Sequence, residues 1–234
     1  MPISRFWEIP EKRKFAAGIL IVLIFIFFLI LVVRSCHKPE GESPKKYLQS
    51  LTSPVPENRL DAVLGLGRIN AKGAVPDLEK VLISDPDERV RRSAAYSILI
   101  LDWGKFLNLL KSPDANIRAL GLETITGREK EKAFSYLKNG LSDPAILVRR
   151  TAFQLLTQQT ATAETEVVFL RLAEKTAEDT SLRIDALVIL GVRMAPEANL
   201  SRLKDLAEQD KEPTVRTAAG AAINKIENRK KANQ

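Results

Sequence analysis

The fold is decided by residues 85–95, which read Asp85-Pro86-Asp87-Glu88-Arg89-Val90-Arg91-Arg92-Ser93-Ala94-Ala95. The pattern around Arg91 returns every 27–34 residues, at Arg59, Arg91, Arg118, Arg149, Arg183 and Arg216. A small residue stands three positions after each arginine: Ala62, Ala94, Gly121, Ala152, Ala186 and Ala219. A recurrence of this period is typical of repeat proteins, in which one structural unit is stacked on the next.

Each repeat contains a helix with one buried stripe. In the quoted unit Val90, Ala94 and Ile98 are four residues apart, and the other units carry apolar or small residues at the same offsets, Asn58 excepted. Residues spaced by four lie on one face of an α-helix, so this face is predicted to be buried. The small central residue lets backbones approach where helices of neighbouring units cross.

A start signal precedes each of these helices. Six positions before the arginine stands Asp or Ser in every unit except one, where Ala177 takes the place, and Pro follows in four units. Asp or Ser followed by Pro favours an N-cap and a first helical residue. We therefore expect helices to start at Ser53, Asp85, Ser112, Asp143 and Asp210.

A second, shorter apolar-periodic segment follows the first helix in each unit, for example Leu78, Val81 and Leu82. No run of alternating β-branched residues competes with helix. The sequence therefore predicts an all-α fold, an α-solenoid of helix pairs preceded by one transmembrane helix. Residues 53–228 form five helix pairs plus a terminal half-unit, residues 34–52 a linker and capping half-unit, and the second helices most of the concave face.

The repeated motif resembles HEAT repeats, in particular those of the phycobilisome-lyase-like subgroup. The quoted stretch carries the resemblance, and Asp143-Pro144 through Ala152 repeats it, so that it extends over about residues 53–228. It implies that the Arg and Asp of adjacent units tie neighbouring repeats together, and we favour this role over a groove of arginines for an acidic ligand. Repeats of this type occur in scaffolds, adaptors, chaperone-like factors and a few enzymes, the bilin lyases among them.

Residues 15–33, FAAGILIVLIFIFFLILVV, contain no charged or strongly polar side chain. As a helix these 19 residues span roughly 28 Å, the thickness of a hydrocarbon core. Residues 1–14 form a basic and aromatic flank that contains Trp7 and the cluster at residues 12–14. We therefore expect a transmembrane helix with the lipid bilayer as its partner.

The residues after the span leave a second hypothesis open. Val33-Arg34-Ser35-Cys36 loosely resembles a bacterial lipobox, which would make Cys36 a lipidated first residue after cleavage. Arg34 departs from that pattern, and the apolar run exceeds the usual signal-peptide core of about 7–15 residues. An uncleaved anchor is therefore the favoured prediction, with a lipoprotein as the alternative.

The charges flanking the span choose its orientation. Lys and Arg are equally frequent on the two sides, but the basic cluster directly before residue 15 and the short amino-terminal tail favour a cytoplasmic amino terminus. The repeat domain is then predicted to be extracytoplasmic, which is periplasmic in a bacterium.

The basic charge is unevenly distributed. The chain has a formal net charge of +7, but six Lys/Arg against two Asp/Glu lie before residue 39, leaving 30 against 27 in the rest. Part of that remainder is the basic tail at residues 229–234. Binding several phosphates requires a concentrated basic face, so a nucleic-acid partner is disfavoured.

The single cysteine, Cys36, and the single histidine, His37, both lie outside the repeats. A His general base, a Cys nucleophile or a His/Cys zinc site therefore cannot form within the repeats. We expect no catalytic, cofactor or metal residues and no enzyme activity. The predicted function is a membrane-anchored scaffold or adaptor that binds protein partners on the concave face. The alternatives are an enzyme or enzyme-partner subunit resembling bilin lyases, and a membrane anchor for nucleic acid.

Overall fold

The computed structural model describes residues 42–193 and 199–232, and every regular element in these ranges is helical, which confirms the predicted all-α solenoid. A short 3-10 turn, Lys72–Ala74, precedes the third helix. The α-helices, numbered along the chain, are α1 Pro44–Ser50, α2 Pro56–Arg68, α3 Val75–Ser84, α4 Glu88–Leu101, α5 Trp103–Leu109, α6 Ala115–Arg128, α7 Lys130–Gly140, α8 Ile146–Thr157, α9 Ala163–Glu174, α10 Thr180–Arg193, α11 Leu200–Gln209 and α12 Pro213–Ala232.

The repeated arginines lie on the even-numbered helices α2 to α12, which we call the motif helices. The odd-numbered helices α1 to α11 are the intervening helices. Each motif helix packs against the intervening helix that precedes it, and α4 and α6 also pack against the one that follows. We group each motif helix with the intervening helix before it, which divides the described ranges into six helix pairs. The sequence prediction grouped each motif helix with the helix that follows it, because a periodic pattern fixes the length of a repeat and not the point at which it begins.

Neighbouring motif helices pack directly on one another, as α2 does on α4 and α10 on α12. Intervening helices of successive pairs have no comparable backbone contact. The junction between α8 and α10 differs, because there the backbones of the motif helices are further apart than elsewhere in the stack. The stack is therefore continuous through the first four pairs and again through the last two, and is joined between them mainly by side chains.

The buried stripe of the motif helices runs through a single core. Val90, Ala94 and Ile98 have no exposed surface, and corresponding residues of the other motif helices join the same cluster. At the amino-terminal end, Tyr47 of α1 covers α2, and a Cβ atom added to Gly65 would lie 2.4–2.8 Å from its ring. The helix of the predicted capping half-unit therefore packs directly on the first motif helix.

The predicted helix starts are wrong by two to three residues. Helix α4 begins at Glu88 with Asp87 as N-cap, and α6 begins at Ala115 with Asp114 as N-cap. Asp85 instead accepts a hydrogen bond from the Asp87 amide at 2.9 Å. Its carboxylate closes the turn before the helix and is bound by an arginine of the previous pair, so the capping role passes to the next available acid.

The predicted transmembrane span (15–33), its flank (1–14) and Cys36 lie outside the described residues. Within the described residues, none of the helices combines the length and the apolar character that crossing a membrane requires. At the other end, the predicted basic tail begins as helix, because α12 continues to Ala232.

Candidate functional site

Arg59 joins two consecutive helix pairs. Its Nε and Nη2 donate to the two carboxylate oxygens of Asp85 at 2.7 and 2.9 Å, and its Nη1 donates to the Ser53 carbonyl at 2.8 Å. Arg118 makes the same bidentate contact with Asp143, at 2.8 and 2.7 Å. A bidentate Arg–carboxylate pair fixes orientation as well as distance. Each of these arginines therefore fastens the loop before its own helix to the loop before the next motif helix.

Two further arginines bind acids in deeply buried positions. Arg149 donates from Nε to Glu178 at 2.7 Å, and the Glu178 side chain has no exposed surface. Arg183 binds both oxygens of Asp210, with Nη1 to Oδ1 at 3.3 Å, and each of the two side chains is 2% exposed. Arg183 Nε donates to the Ala173 carbonyl at 2.7 Å. We call these four Arg–acid pairs the arginine ladder.

Two of the repeated arginines have no acid of the next pair. Arg91 donates from Nη1 to the Asp85 carbonyl at 2.7 Å, but Ser112 stands where the next pair would supply the carboxylate. In the described ranges the Nε and Nη2 atoms of Arg91 have no hydrogen-bond acceptor. Arg216 lies on the last motif helix and donates to the Asp210 carbonyl at 2.6 Å. The ladder is thus interrupted once inside the stack, at Arg91.

The arginines hold the ladder acids in the ionised form. The hydrogen bond from Arg59 lowers the pKa of Asp85 below its ordinary value, and that from Arg118 does the same for Asp143. Burial raises the pKa of Asp210, but the hydrogen bond and charge of Arg183 outweigh it, and the pKa is lowered. The ladder therefore consists of charge-assisted hydrogen bonds that persist at neutral pH.

The repeated small residues lie inside the helix pairs. The five alanines have no exposed surface, and Gly121 is also buried. A Cβ atom added to Gly140 of α7 would lie 2.9 Å from the Cβ of Ala152, and one added to Gly121 would lie 2.8 Å from Leu110 Cδ2. The small side chains therefore mark the close crossing between a motif helix and the intervening helix before it.

The exposed side of the motif helices carries most of the large apolar side chains that face solvent. Among the described residues, Val55 and Ile83 are the only exposed large apolar residues that do not lie on a motif helix. The members on motif helices are 38–54% exposed: Leu64, Tyr96, Ile100, Ile146, Leu147, Val188 and Val192. Three of them stand five positions after the repeated arginine and recur at the repeat spacing: Leu64, Tyr96 and Val188. We call this exposed side of the motif helices the inner face.

Polar contacts on the inner face run from one motif helix to the next. Arg89 of α4 contacts Glu57 of α2 at 3.2 Å, and Arg92 of α4 binds Glu123 of α6. Tyr96 accepts a hydrogen bond from Arg128 at 2.9 Å, and the same guanidinium lies 5.5 Å from the centre of its ring. Acids and cations therefore alternate on this face, and no single sign dominates it.

A groove of about 440 Å³ crosses the inner face over α4, α6 and α8. Its walls include Arg91 and Arg92 together with Ile117, Leu120 and Leu147. The groove therefore has both charged and apolar walls. It includes Arg91, which among the described residues is the repeated arginine inside the stack that binds no acid of the next pair.

A second groove, of about 350 Å³, is lined by residues of α5 to α8, including the intervening helices α5 and α7. Leu107, Leu110 and Tyr136 give it a mainly apolar lining. Its arginine, Arg118, is already bound to Asp143. This groove therefore has a mainly apolar surface, and the hydrogen-bond donors of its arginine are already bound within the chain.

Similarity to a known family extends over the first two helix pairs. The sequence profile described as HEAT repeats matches residues 44–102, a range that begins with α1 and ends one residue after α4. Residues 44–102 are therefore similar to HEAT repeats. The matched range starts with an intervening helix and finishes with a motif helix.

Solved structures with a similar helical arrangement are distant in sequence. Human deoxyhypusine hydroxylase has 19% identity and a TM-score of 0.43, with 81% of this chain and 75% of that chain covered. A designed armadillo repeat protein has 18% identity and a TM-score of 0.39, with 78% of this chain and 99% of that chain covered. The complex of CpcE and CpcF of phycocyanin lyase from Nostoc sp. PCC7120 has 17% identity and a TM-score of 0.30, with 82% of this chain and 97% of that chain covered. Likenesses of this size carry no functional inference. A search of curated proteins finds no match.

The sequence analysis did not predict Glu178 as a member of the arginine ladder. The position that holds an acid in the neighbouring units is Ala177, and the structure shows that the next residue supplies the carboxylate to Arg149. A search that allowed a shift of one residue would have found it, because Glu178 and Asp179 are the acids nearest that position. Within the described ranges, no three His, Cys, Asp or Glu side chains come together as a metal site would require.

Proposed function

We propose that this chain is a membrane-anchored HEAT-repeat scaffold that binds a partner protein on the inner face. The observation that carries the proposal is the concentration of exposed apolar side chains on the motif helices. A row of apolar residues set among charged groups is the usual composition of a protein-binding surface. The proposed role is binding, with no cofactor and no catalytic step.

The spacing of the helices supports placing the inner face on the concave side. Motif helices pack directly on one another while the intervening helices of successive pairs stay apart. In a curved stack the closely spaced helices lie on the inside of the curve. This assignment reverses the sequence expectation, in which the second helices formed most of the concave face.

The charges on the inner face favour a protein over a nucleic acid. Arg89, Arg92 and Arg150 each contact an acid, of which Asp179 lies 2.9 Å from Arg150. A nucleic-acid surface needs cations that are free to replace the counterions of phosphates. The ion pairs between motif helices instead give the face alternating charge, which suits a partner protein of similarly mixed surface.

The membrane part of the proposal rests on residues 15–33. Their uncharged length suits a transmembrane helix, and the basic cluster before them favours a cytoplasmic amino terminus with the repeats outside the cytoplasm. An anchor confines the scaffold to the membrane surface and raises its effective concentration for partners there. A lipoprotein anchored through Cys36 would carry the same repeat domain.

Orientation can be tested with reporters that work on only one side of the membrane, fused to the carboxy terminus of the full chain. We expect activity from the extracytoplasmic reporter alone. Activity of the cytoplasmic reporter would reject the orientation, and mass spectrometry of the purified chain distinguishes an intact anchor from a lipidated Cys36.

The binding proposal is tested by site-specific photo-crosslinking in native membranes. A photoreactive amino acid is placed at Tyr96 on the inner face or, as a matched control, at Glu131, which is exposed on intervening helix α7. We expect discrete protein adducts from position 96 and few from position 131. Equal adducts from both positions, or none from position 96, would contradict the proposal. A bilin bound to the purified chain, or lyase activity with a bilin acceptor, would favour the enzyme alternative.

A further inference from the structure

The interruption of the ladder at Arg91 leaves a guanidinium with unused donors. In the ladder pairs of Arg59 and Arg118, Nε and Nη2 bind one carboxylate while Nη1 holds the loop carbonyl. Arg91 also donates from Nη1 to a loop carbonyl, that of Asp85, but in the described ranges its Nε and Nη2 atoms have no hydrogen-bond acceptor. Ser112, the corresponding residue of the next pair, accepts a hydrogen bond from the Asp114 amide at 3.2 Å.

The groove around Arg91 has the surroundings of a carboxylate site. Arg91 lines the groove together with the apolar side chains of Ile117, Leu120 and Leu147. A half-buried guanidinium is only partly solvated, so a carboxylate that binds both of its free donors forms a strong, oriented contact.

The acids that line the groove have partners of their own. Glu88 and Glu123 are both bound by Arg92. Asp114 caps α6 by accepting from the Asn116 amide at 2.8 Å. None of these three carboxylates is within ion-pair distance of Arg91, so no acid that lines the groove occupies its free donors.

We propose that the groove binds a segment of the partner protein that places an Asp or Glu carboxylate on Arg91 and a neighbouring branched apolar side chain against Leu120 and Leu147. The partner then supplies the acid that Ser112 does not, and so completes the interrupted ladder. This inference rests on the proposed protein-binding function and names the chemistry of the bound segment.

The test uses the full chain, labelled with ¹⁵N-arginine and purified in detergent micelles. The probe is the peptide acetyl-Leu-Glu-Leu-amide, and acetyl-Leu-Gln-Leu-amide is its neutral control. We expect the Nε–H signal of Arg91, assigned with Arg91→Gln, to shift and saturate with the Glu peptide. The Glu peptide should bind at least about tenfold more tightly than the Gln peptide, and the Arg59 signal should stay in place. Equal affinity of the two peptides, or no shift, would overturn the proposal.

Ser112→Asp provides a test that removes no existing contact of Arg91. The new carboxylate should occupy Arg91 and weaken the Glu peptide at least about tenfold. Ser53→Asp is the matched control, because Ser53 has the same place in its repeat and a following Pro, but no motif helix precedes it in the described ranges. Unchanged binding to Ser112→Asp, or equal weakening by Ser53→Asp, would contradict the proposal. Failure here with positive crosslinking from Tyr96 would reject the carboxylate and leave the scaffold function standing.

Discussion

Glu178→Gln tests how the stack is held together at its weakest junction. Glu178 accepts hydrogen bonds from Arg149 at 2.7 Å, from Lys175 at 2.9 Å and from its neighbour's amide at 3.1 Å, and its side chain is fully buried. The backbones of α8 and α10 are far apart there, so side chains carry most of the coupling between the fourth and fifth pairs. Glutamine keeps the shape of the side chain and removes its charge.

The expected loss follows from the burial of the three groups. Removing one partner of a buried ion pair costs roughly 3–5 kcal/mol. In Glu178→Gln, the Lys175 side chain is 47% exposed and can be hydrated by water instead. The Arg149 side chain is only 16% exposed and regains little hydration. We therefore expect a loss of about 2–3 kcal/mol, with the Lys175 contact discounted as a surface pair. At a urea m value of about 2 kcal/mol/M the midpoint falls by roughly 1 M.

The assay compares two probes of unfolding. Trp103 lies on α5 in the first four pairs, and Trp7→Phe makes it the only tryptophan of the chain. Because repeats are coupled only to their neighbours, loosening one junction should let the last two pairs unfold first. The helical circular dichroism should then decrease at lower urea than the Trp103 fluorescence changes.

The control is Glu164→Gln, which lies at the same junction. Glu164 contacts Lys138 at 3.5 Å with 62% of its side chain exposed. An exposed ion pair of this kind contributes about 0–1 kcal/mol to the free energy of unfolding. In Glu164→Gln the circular dichroism and the Trp103 fluorescence should therefore change at the same urea concentration. If Glu178→Gln behaves like this control, buried side chains do not couple the two parts of the stack, and the reasoning is refuted.

Three further predictions concern the ladder and the core. Ala152→Leu overpacks the crossing with α7 and should lower the free energy of unfolding by about 1–3 kcal/mol, whereas Ala221→Leu, at an exposed position, should change it by less than about 0.5 kcal/mol; urea midpoints decide. Ser112→Asp supplies the missing ladder acid and should raise the free energy of unfolding by up to about 1 kcal/mol, and an equal gain from Ser53→Asp would rule out Arg91 as the cause. Because the ladder acids have lowered pKa values in the folded state, the stability they contribute is complete above their ordinary pKa near 4 and is lost as pH falls through the lower folded values. Urea midpoints should therefore drop as pH falls below the ordinary carboxyl pKa, and Asp210→Asn should show a smaller drop; a parallel profile for that variant would contradict the assignment.

The motif helices could be predicted from the sequence because their buried residues occur at a regular spacing. Val90, Ala94 and Ile98 are four residues apart and all lack exposed surface, and every unit repeats the spacing. The pattern does not show which intervening helix belongs with which motif helix. The arginine that closes each loop acts through its side chain, and its bonds to the Ser53 and Asp85 carbonyls in the first two pairs have no counterpart in hydrophobic periodicity.

The helix starts and one ladder acid were mistaken for a related reason. An Asp before Pro has the composition of an N-cap, but Asp85 is bound by Arg59 from the previous pair, so the helix starts at the next acid. Glu178 was missed because it is displaced by one residue from its column. Both errors arise from contacts between residues about 26–29 positions apart, which local sequence rules do not include.

The repeated arginines show how a structural position can acquire a binding role. At Arg59 and Arg118 the guanidinium uses Nη1 on its own loop and Nε and Nη2 on the acid of the next pair, so it has nothing left for a ligand. Arg149 and Arg183 also bind an acid of the next pair, so contacts between pairs account for the recurrence of four arginines without any bound partner. Arg91 keeps the same loop contact, but no acid of the described residues binds its Nε and Nη2 atoms, and the residue lines a groove on the inner face. The repetition of the arginine is thus explained by stacking, whereas the loss of one acid, at Ser112, is the departure that points to a partner.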